Sequence, residues 1–265
     1  MVKQKTTKEM RSELDDALKQ LRMPTMRACY KELADGARAE GLSYEHYLSE
    51  LVRLESEDRL TRKIERLLRR SRLPLEKTID TFDRRRLSPQ TIQQVNVLLE
   101  GGFIDTSENV LAFGNPGSGK THLLCAIGKA LVEQGRQVLF RPCSLLVQEL
   151  LAAKRDLVLD RLLKRLSKFE ALIIDDIGYV QQSREEMEVL FTLLAERYER
   201  GTVMITSNLP FSEWERIFKD PMTTAAAIDR LVHHSIILEL NLPSYRLQAS
   251  KDSKNNLTET LTQTD

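Results

Sequence analysis

The sequence predicts an α/β fold: a parallel five-stranded sheet with helices on both faces, preceded by a small all-helical N-terminal domain. Three observations carry the prediction. From Asn109 to about Leu240, short apolar runs alternate with helical stretches, the pattern of parallel strands joined by crossover helices. Residues 114–121 read Gly-Asn-Pro-Gly-Ser-Gly-Lys-Thr, a glycine loop between the apolar run Val110–Phe113 and a buried helical segment. Before this region, residues 8–72 carry apolar positions at helical spacing, as in Leu14, Leu18, Leu21 and then Tyr47, Leu48, Leu51, Leu54.

Taken in order, residues 1–73 read as the helical domain, punctuated by Pro24, Gly36 and Gly41 into three or four helices. Ser43 is placed to cap the helix that follows Leu42, and Leu73-Pro74 ends the module. Residues 74–108 read as a connector with one helix over Ser88–Leu99, opened by Ser88-Pro89 and closed by Gly101-Gly102. The segment 109–247 supplies strands at 110–113, 137–141, 171–175, 202–206 and 235–240. Its helices fall at 120–134, 144–153, 156–168, 184–200 and 223–233, so two helices separate the second and third strands. From about Gln248 the chain is rich in Ser, Thr, Lys, Asn and Asp, and the composition predicts a disordered tail over 248–265.

At 265 residues with 41% hydrophobic content, the chain can hold one nucleotide-binding domain and a smaller partner. No apolar run approaches the roughly 18–20 residues of a membrane span, so no membrane role is expected. The start, Met1-Val2-Lys3-Gln4-Lys5, continues into polar sequence with no secretory pattern. The three cysteines, Cys29, Cys125 and Cys143, are scattered and form no pair at metal-binding spacing. They predict a reducing compartment, the cytoplasm. Net charge is only +1, so the distribution of charge matters more than its sum.

The loop 114–121 satisfies the P-loop pattern. Gly114, Gly117 and Gly119, with Asn115, Pro116 and Ser118, let backbone N–H groups surround a phosphate at a helix N-terminus. Lys120 can reach the β- and γ-phosphates of ATP, Thr121 can place its hydroxyl on Mg²⁺, and His122 adjoins the nucleotide. The run Leu172-Ile173-Ile174-Asp175-Asp176 is a buried strand ending in two carboxylates, the Walker B pattern. Asp175 would hold Mg²⁺, and Asp176 would orient or deprotonate the attacking water. Asn208, at the tip of the strand 202–206, could bond the γ-phosphate or that water; the alternative is an Asn chosen for a turn. Arg230 in Ala227-Ile228-Asp229-Arg230-Leu231 could reach a neighbouring subunit's nucleotide as an arginine finger; the alternative is a surface pair with Asp229. Arg246 of Ser244-Tyr245-Arg246 could sense nucleotide from within the chain, or belong to a surface turn.

Between 59 and 72 the chain is strongly basic, and Arg84-Arg85-Arg86 follows shortly after. On a helical wheel Arg59, Arg62, Lys63, Arg66 and Arg70 share one face, while Leu60, Ile64 and Leu67 share another. Such a stripe suits duplex phosphates read without base specificity. The alternative is a solvated helix face. No aromatic residues are interleaved to stack single-stranded bases.

Together these motifs resemble the AAA+ ATPases. The residues GNPGSGKT at 114–121, LIIDDIG at 172–178, ITSN at 205–208, AIDRL at 227–231 and SYR at 244–246 are similar to those of IstB-type transposition helpers. These are relatives of the DnaC-type helicase loaders. The likeness reaches upstream through Leu21–Met26, Tyr44–Leu48, the 59–72 run and Thr81-Phe82-Asp83, covering about residues 10–247. One departure is Asp176, where many AAA+ members carry Glu; the shorter reach implies slow turnover without a partner. The resemblance implies a homo-oligomer that assembles on duplex DNA with ATP, remodels it and recruits a transposase. It also implies that the insertion 144–168 faces DNA through Lys154, Arg155, Arg161, Lys164, Arg165 and Lys168. A replicative helicase loader shares the ATPase core and differs in its partner. A P-loop metabolite kinase would need an acceptor pocket and lid, which the basic helical module and the finger argue against.

Overall fold

The computed structural model describes residues 6–178, 183–215 and 221–245. The chain divides into two compact units, residues 1–66 and 67–265. The boundary falls inside a helix rather than at Leu73-Pro74.

The smaller unit is built on α1 (Thr7–Gln20), α2 (Pro24–Glu40) and the greater part of α3 (Tyr44–Ser71). A capping box of Thr6 and Glu9 opens α1. Ser43 Oγ accepts the His46 N–H at 3.2 Å, as expected for the start of α3. Gly36 does not punctuate the chain: it lies inside α2, and nothing approaches the place where its Cβ would be. A helical glycine costs only about 1 kcal/mol relative to alanine, too little to break a helix whose apolar face is buried. Gly41 does end α2, in the left-handed conformation at φ +66°. Leu18, Met26, Tyr30 and Leu51 form the core.

Glu55 organises this unit. It is buried, and its carboxylate accepts the N–H groups of Thr25 and Met26 at 2.9 and 3.0 Å. Those are orphan donors of the first turn of α2, which has no side-chain cap of its own. Arg59 Nε donates to the same carboxylate at 2.8 Å. Burial pushes the Glu55 carboxyl up, but Arg59 and the two N–H donors outweigh it and hold the group below the usual carboxylate value.

The larger unit contains α4 (Pro89–Glu100), α5 (Gly102–Asp105), β1 (Asn109–Phe113), α6 (Lys120–Glu133), β2 (Val138–Pro142), α7 (Cys143–Arg155) and α8 (Leu159–Leu166). It continues through β3 (Ala171–Ile177), α9 (Arg184–Arg197), β4 (Thr202–Ser207), α10 (Pro221–Val232) and β5 (Ser235–Glu239). The five strands are parallel in the order β2-β3-β4-β1-β5. Along β1, Val110 and Ala112 enter one apolar cluster and Leu111 the other, so the sheet is covered on both faces. Residues 74–108 are more than a connector: Val95, Leu98, Phe103 and Ile104 are buried in the cluster that holds Leu123, Ile127 and Leu131 of α6. The tail over 248–265 lies outside the described residues.

Candidate active site

The loop between β1 and α6 is held from behind by residues 240–245. Gly114 and Gly117 have φ +149° and +78°, and a Cβ at either would collide, with the Leu240 carbonyl and with the Ser244 side chain respectively. Only glycine satisfies both the conformation and the approach. The Tyr245 N–H donates to the Gly117 carbonyl at 3.0 Å, tying residues 244–245 to the loop. Lys120 is 5% exposed, and its ammonium donates to the Gly114 and Asn115 carbonyls at 2.8 and 2.9 Å.

At the C-terminal end of β3, Asp175 Oδ1 accepts from Thr121 Oγ1 and from Thr206 Oγ1, each at 2.7 Å. The pair Thr121 and Asp175 is thus brought together across 54 residues of sequence. Thr206 Oγ1 also accepts the Asp176 N–H at 2.8 Å, so one buried hydroxyl positions both carboxylate residues. The β3–β4 register shifts between Ile174 and Ile177, and Asp176 sits at φ +60°. A non-glycine residue in that conformation is strained, a condition that clusters at functional sites. The bulge turns Asp176 out of the sheet, and its side chain is exposed where its neighbours are buried.

Asp176, Asn208, Lys120, Thr121, His122 and the loop residues 116–119 line one cavity of roughly 540 Å³. Asn208 follows β4, which lies between β3 and β1. His122 Nε2 donates to the Thr78 carbonyl at 3.0 Å, and its ring meets Phe82 edge-on at 5.4 Å. It therefore ties α6 to the segment before α4. The remaining walls come from Lys77, Phe82, Asp83, Arg86, Leu242 and Tyr245. Sequence reasoning did not assign these to the site. The Arg84–Arg86 run was a visible signal, but charge alone did not show that Arg86 Nη2 donates to the Pro243 carbonyl and lies 5.7 Å from the Tyr245 ring.

Other candidates lie elsewhere. Arg230, on α10, is not among the residues lining this cavity; its guanidinium stands 4.8 Å from the Phe191 ring on α9. Among the described residues it makes no ion pair with Asp229, and its Nη1 is buried without a hydrogen-bond partner. Arg246 lies outside the described residues. The basic stripe on α3 is only partly available. Arg59 is committed to Glu55 and to the Arg22 carbonyl at 2.7 Å, and Arg62 is paired with Asp58. Lys63 and Arg66 are exposed, while Arg70 lies 5.8 Å from the Phe169 ring. The opposite face is not continuously buried either, since Leu60 is 52% exposed. On the α7–α8 insertion, Lys154 pairs with Glu188 at 3.0 Å and Arg165 with Glu149 at 2.5 Å, while Arg155 is exposed. Arg161, Lys164, Arg165 and Lys168 line a shallow cleft.

The IstB-like ATP binding protein family matches residues 16–253, and the chain belongs to that family. It is 41% identical over 253 residues to an insertion-sequence ATP-binding protein of Sinorhizobium fredii, covering 93% of this chain and 85% of that one. It is 38% identical over 240 residues to the insertion sequence IS21 ATP-binding protein of Pseudomonas aeruginosa, covering 90% of each. Among solved structures, the DnaC helicase loader superimposes with a TM-score of 0.51 at 20% identity, over 62% of this chain and 96% of that one. The fold of the larger unit is the AAA+ P-loop fold. No helix among the described residues is long and apolar enough to cross a membrane.

Proposed function

We propose that this member of the IstB-like ATP-binding family hydrolyses ATP on duplex DNA, and does so as the helper of a transposase. The observation that carries the reading is the convergence of Lys120, Thr121, Asp176 and Asn208 on one cavity behind a glycine loop, with the buried Asp175 bonded to Thr121 at its edge. The donor set suits magnesium: a hydroxyl and a carboxylate oxygen, both hard ligands, stand 2.7 Å apart. Thr121 and Asp175 would hold the ion, which would neutralise charge on the phosphate oxygens. Lys120 adds a second positive charge at the phosphates, and the loop N–H groups bind the rest. Asp176 takes the proton of the attacking water, and Asn208 orients that water. Arg230 acts on a neighbour's nucleotide in a homo-oligomer, which fits its position away from its own chain's cavity. Arg246 would sense the nucleotide from within the chain.

The partners follow from chemistry and kinship. Lys63, Arg66 and the insertion's basic residues meet phosphates, giving ATP-dependent, nearly sequence-independent binding that falls with salt. The relatives named above belong to insertion sequences, so the partner that consumes this DNA complex is a transposase. The free thiols of Cys29, Cys125 and Cys143 suit a reducing cytoplasm. The fold shared with a helicase loader supports the alternative of a replicative loader, separated by whether a transposase or a hexameric helicase is pulled down by the ATP-bound protein.

ATP hydrolysis measured with and without duplex DNA tests the enzymatic part. The parent should turn over faster with DNA and need no small acceptor. Lys120→Ala should lose nucleotide binding, and Asp176→Asn should bind ATP but not hydrolyse it. Parental turnover by Asp176→Asn would refute the base assignment.

A further inference from the structure

The turn joining α7 to α8 carries an unusual residue. The Leu157 N–H bonds the Lys154 carbonyl at 3.2 Å, and the Val158 N–H bonds the Ala153 carbonyl at 2.9 Å. This is the Schellman arrangement that closes a helix, and its left-handed position is normally glycine. Here that position is Leu157, at φ +56°, with its side chain 92% exposed. The other non-glycine residues with positive φ among the described ones are Arg22, Arg72, Ser107, Asp176 and Glu199, all polar. Glycine would make the same turn with less strain and leave no apolar group in water. Leucine therefore contributes nothing to closing the helix, and the rigid turn holds it outward beside Val158.

The surroundings indicate what the side chain meets. From 154 to 168 the chain places six basic residues against two acidic ones, Asp156 and Asp160. Arg161, Lys164, Arg165 and Lys168 line the cleft next to Val158 and Leu162. Among the described residues Arg155, Arg161, Lys164 and Lys168 enter no ion pair. An apolar point flanked by uncommitted cations matches a base step flanked by phosphates, the way apolar side chains enter and kink a duplex.

We infer that Leu157, backed by Val158, is a wedge that inserts between stacked base pairs of duplex DNA while Arg155, Arg161 and Lys164 hold the adjoining phosphates. The inference rests on the duplex-binding reading above and supplies the means of remodelling. The wedge turns phosphate binding, which tracks any duplex, into a local kink.

The test uses the full chain with ATP and short duplexes carrying 2-aminopurine at successive steps, with donor and acceptor dyes at the ends. The parent should raise 2-aminopurine fluorescence at some step and shorten the end-to-end distance. Leu157→Gly keeps the turn, since glycine prefers that conformation, so loss of folding cannot mimic the result. It should bind with an unchanged salt slope yet return fluorescence and end-to-end distance to free-DNA levels. Leu157→Phe should retain both signals. The double variant Arg161→Ala with Lys164→Ala should lower the salt slope by about one unit per lost phosphate contact. Equal unstacking by Leu157→Gly and the parent overturns the wedge while leaving duplex binding intact. A parent that fails to bind duplex at low salt overturns the underlying reading instead. Loss of self-association by Leu157→Gly without DNA would make the tip a protein contact and also overturn the wedge.

Discussion

Replacing Thr206 by Val isolates the residue on which the carboxylate end of the site depends. Valine matches threonine in shape, so little cavity forms, but both hydrogen bonds of Oγ1 vanish. One is a bond to the Asp175 carboxylate, worth about 1.5–3 kcal/mol, and the other is the bond from the Asp176 N–H, worth about 0.5–1.5 kcal/mol. Some of this overlaps, since the same atom serves both, so the expected loss is about 3 kcal/mol. For a unit of this size 1 kcal/mol shifts Tm by about 2–4 °C, and the variant should melt about 6–12 °C lower. Asp176 would also lose a bond that supports its φ of +60°, and displacing the base proposed there is expected to cost on the order of 100-fold in kcat. Thr206→Ser keeps both bonds and removes one methyl, about 0.8 kcal/mol, so it should hydrolyse at nearly the parental rate. Thermal denaturation and steady-state phosphate release read the two effects separately. A Thr206→Val protein that melts with the parent and hydrolyses at the parental rate would show that Thr206 does not position the carboxylates.

Three further outcomes are expected. Arg230→Ala should bind ATP normally but hydrolyse it about 10³–10⁵-fold more slowly, and mixing it with Lys120→Ala should restore some activity as protein concentration rises; co-assembly without recovery would leave Arg230 only its packing on Phe191. The carboxyl of Glu55 titrates below its unfolded value, so its contribution to the helical unit is present above about pH 4.3 and lost as pH falls through the lower folded value. Glu55→Gln should weaken that unit at neutral pH and flatten its acid dependence, followed by helical circular dichroism; an acid profile identical to the parent's would count against the capping role. Burial pushes the Cys125 thiol up to about 12 and Cys143 is also buried, so iodoacetamide at pH 8 should label Cys29 well before either, as read by peptide mass spectrometry. Labelling of Cys125 at the rate of Cys29 would contradict the burial of the α6 core face.

Much of this protein is determined by short-range pattern. Each of the five strands carries an apolar run, almost wholly buried in β1, β3 and β4 and partly so in the edge strands β2 and β5, and the observed bounds lie within two residues of those expected. The glycine loop is legible because its chemistry is local: small residues, a lysine and a hydroxyl in one fixed order. Helix ends at Ser43, Ser88, Gly41 and Gly101 are legible for the same reason, since a cap acts within four residues. What the tertiary structure decided is which distant groups meet. Glu55 looks like any helical glutamate until it is found capping a helix 30 residues earlier. Arg59 counts as one more surface cation until that carboxylate claims it. Thr206 is an ordinary strand residue until its hydroxyl is placed between Asp175 and Asp176. The cavity walls at 77–86 and 242–245 come from segments far apart in sequence, joined by Arg86 and by the Tyr245 N–H. A polar side chain carries the same local signature whether water or a buried donor satisfies it. Only the packing that excludes water from one copy of that signature and not another makes the difference.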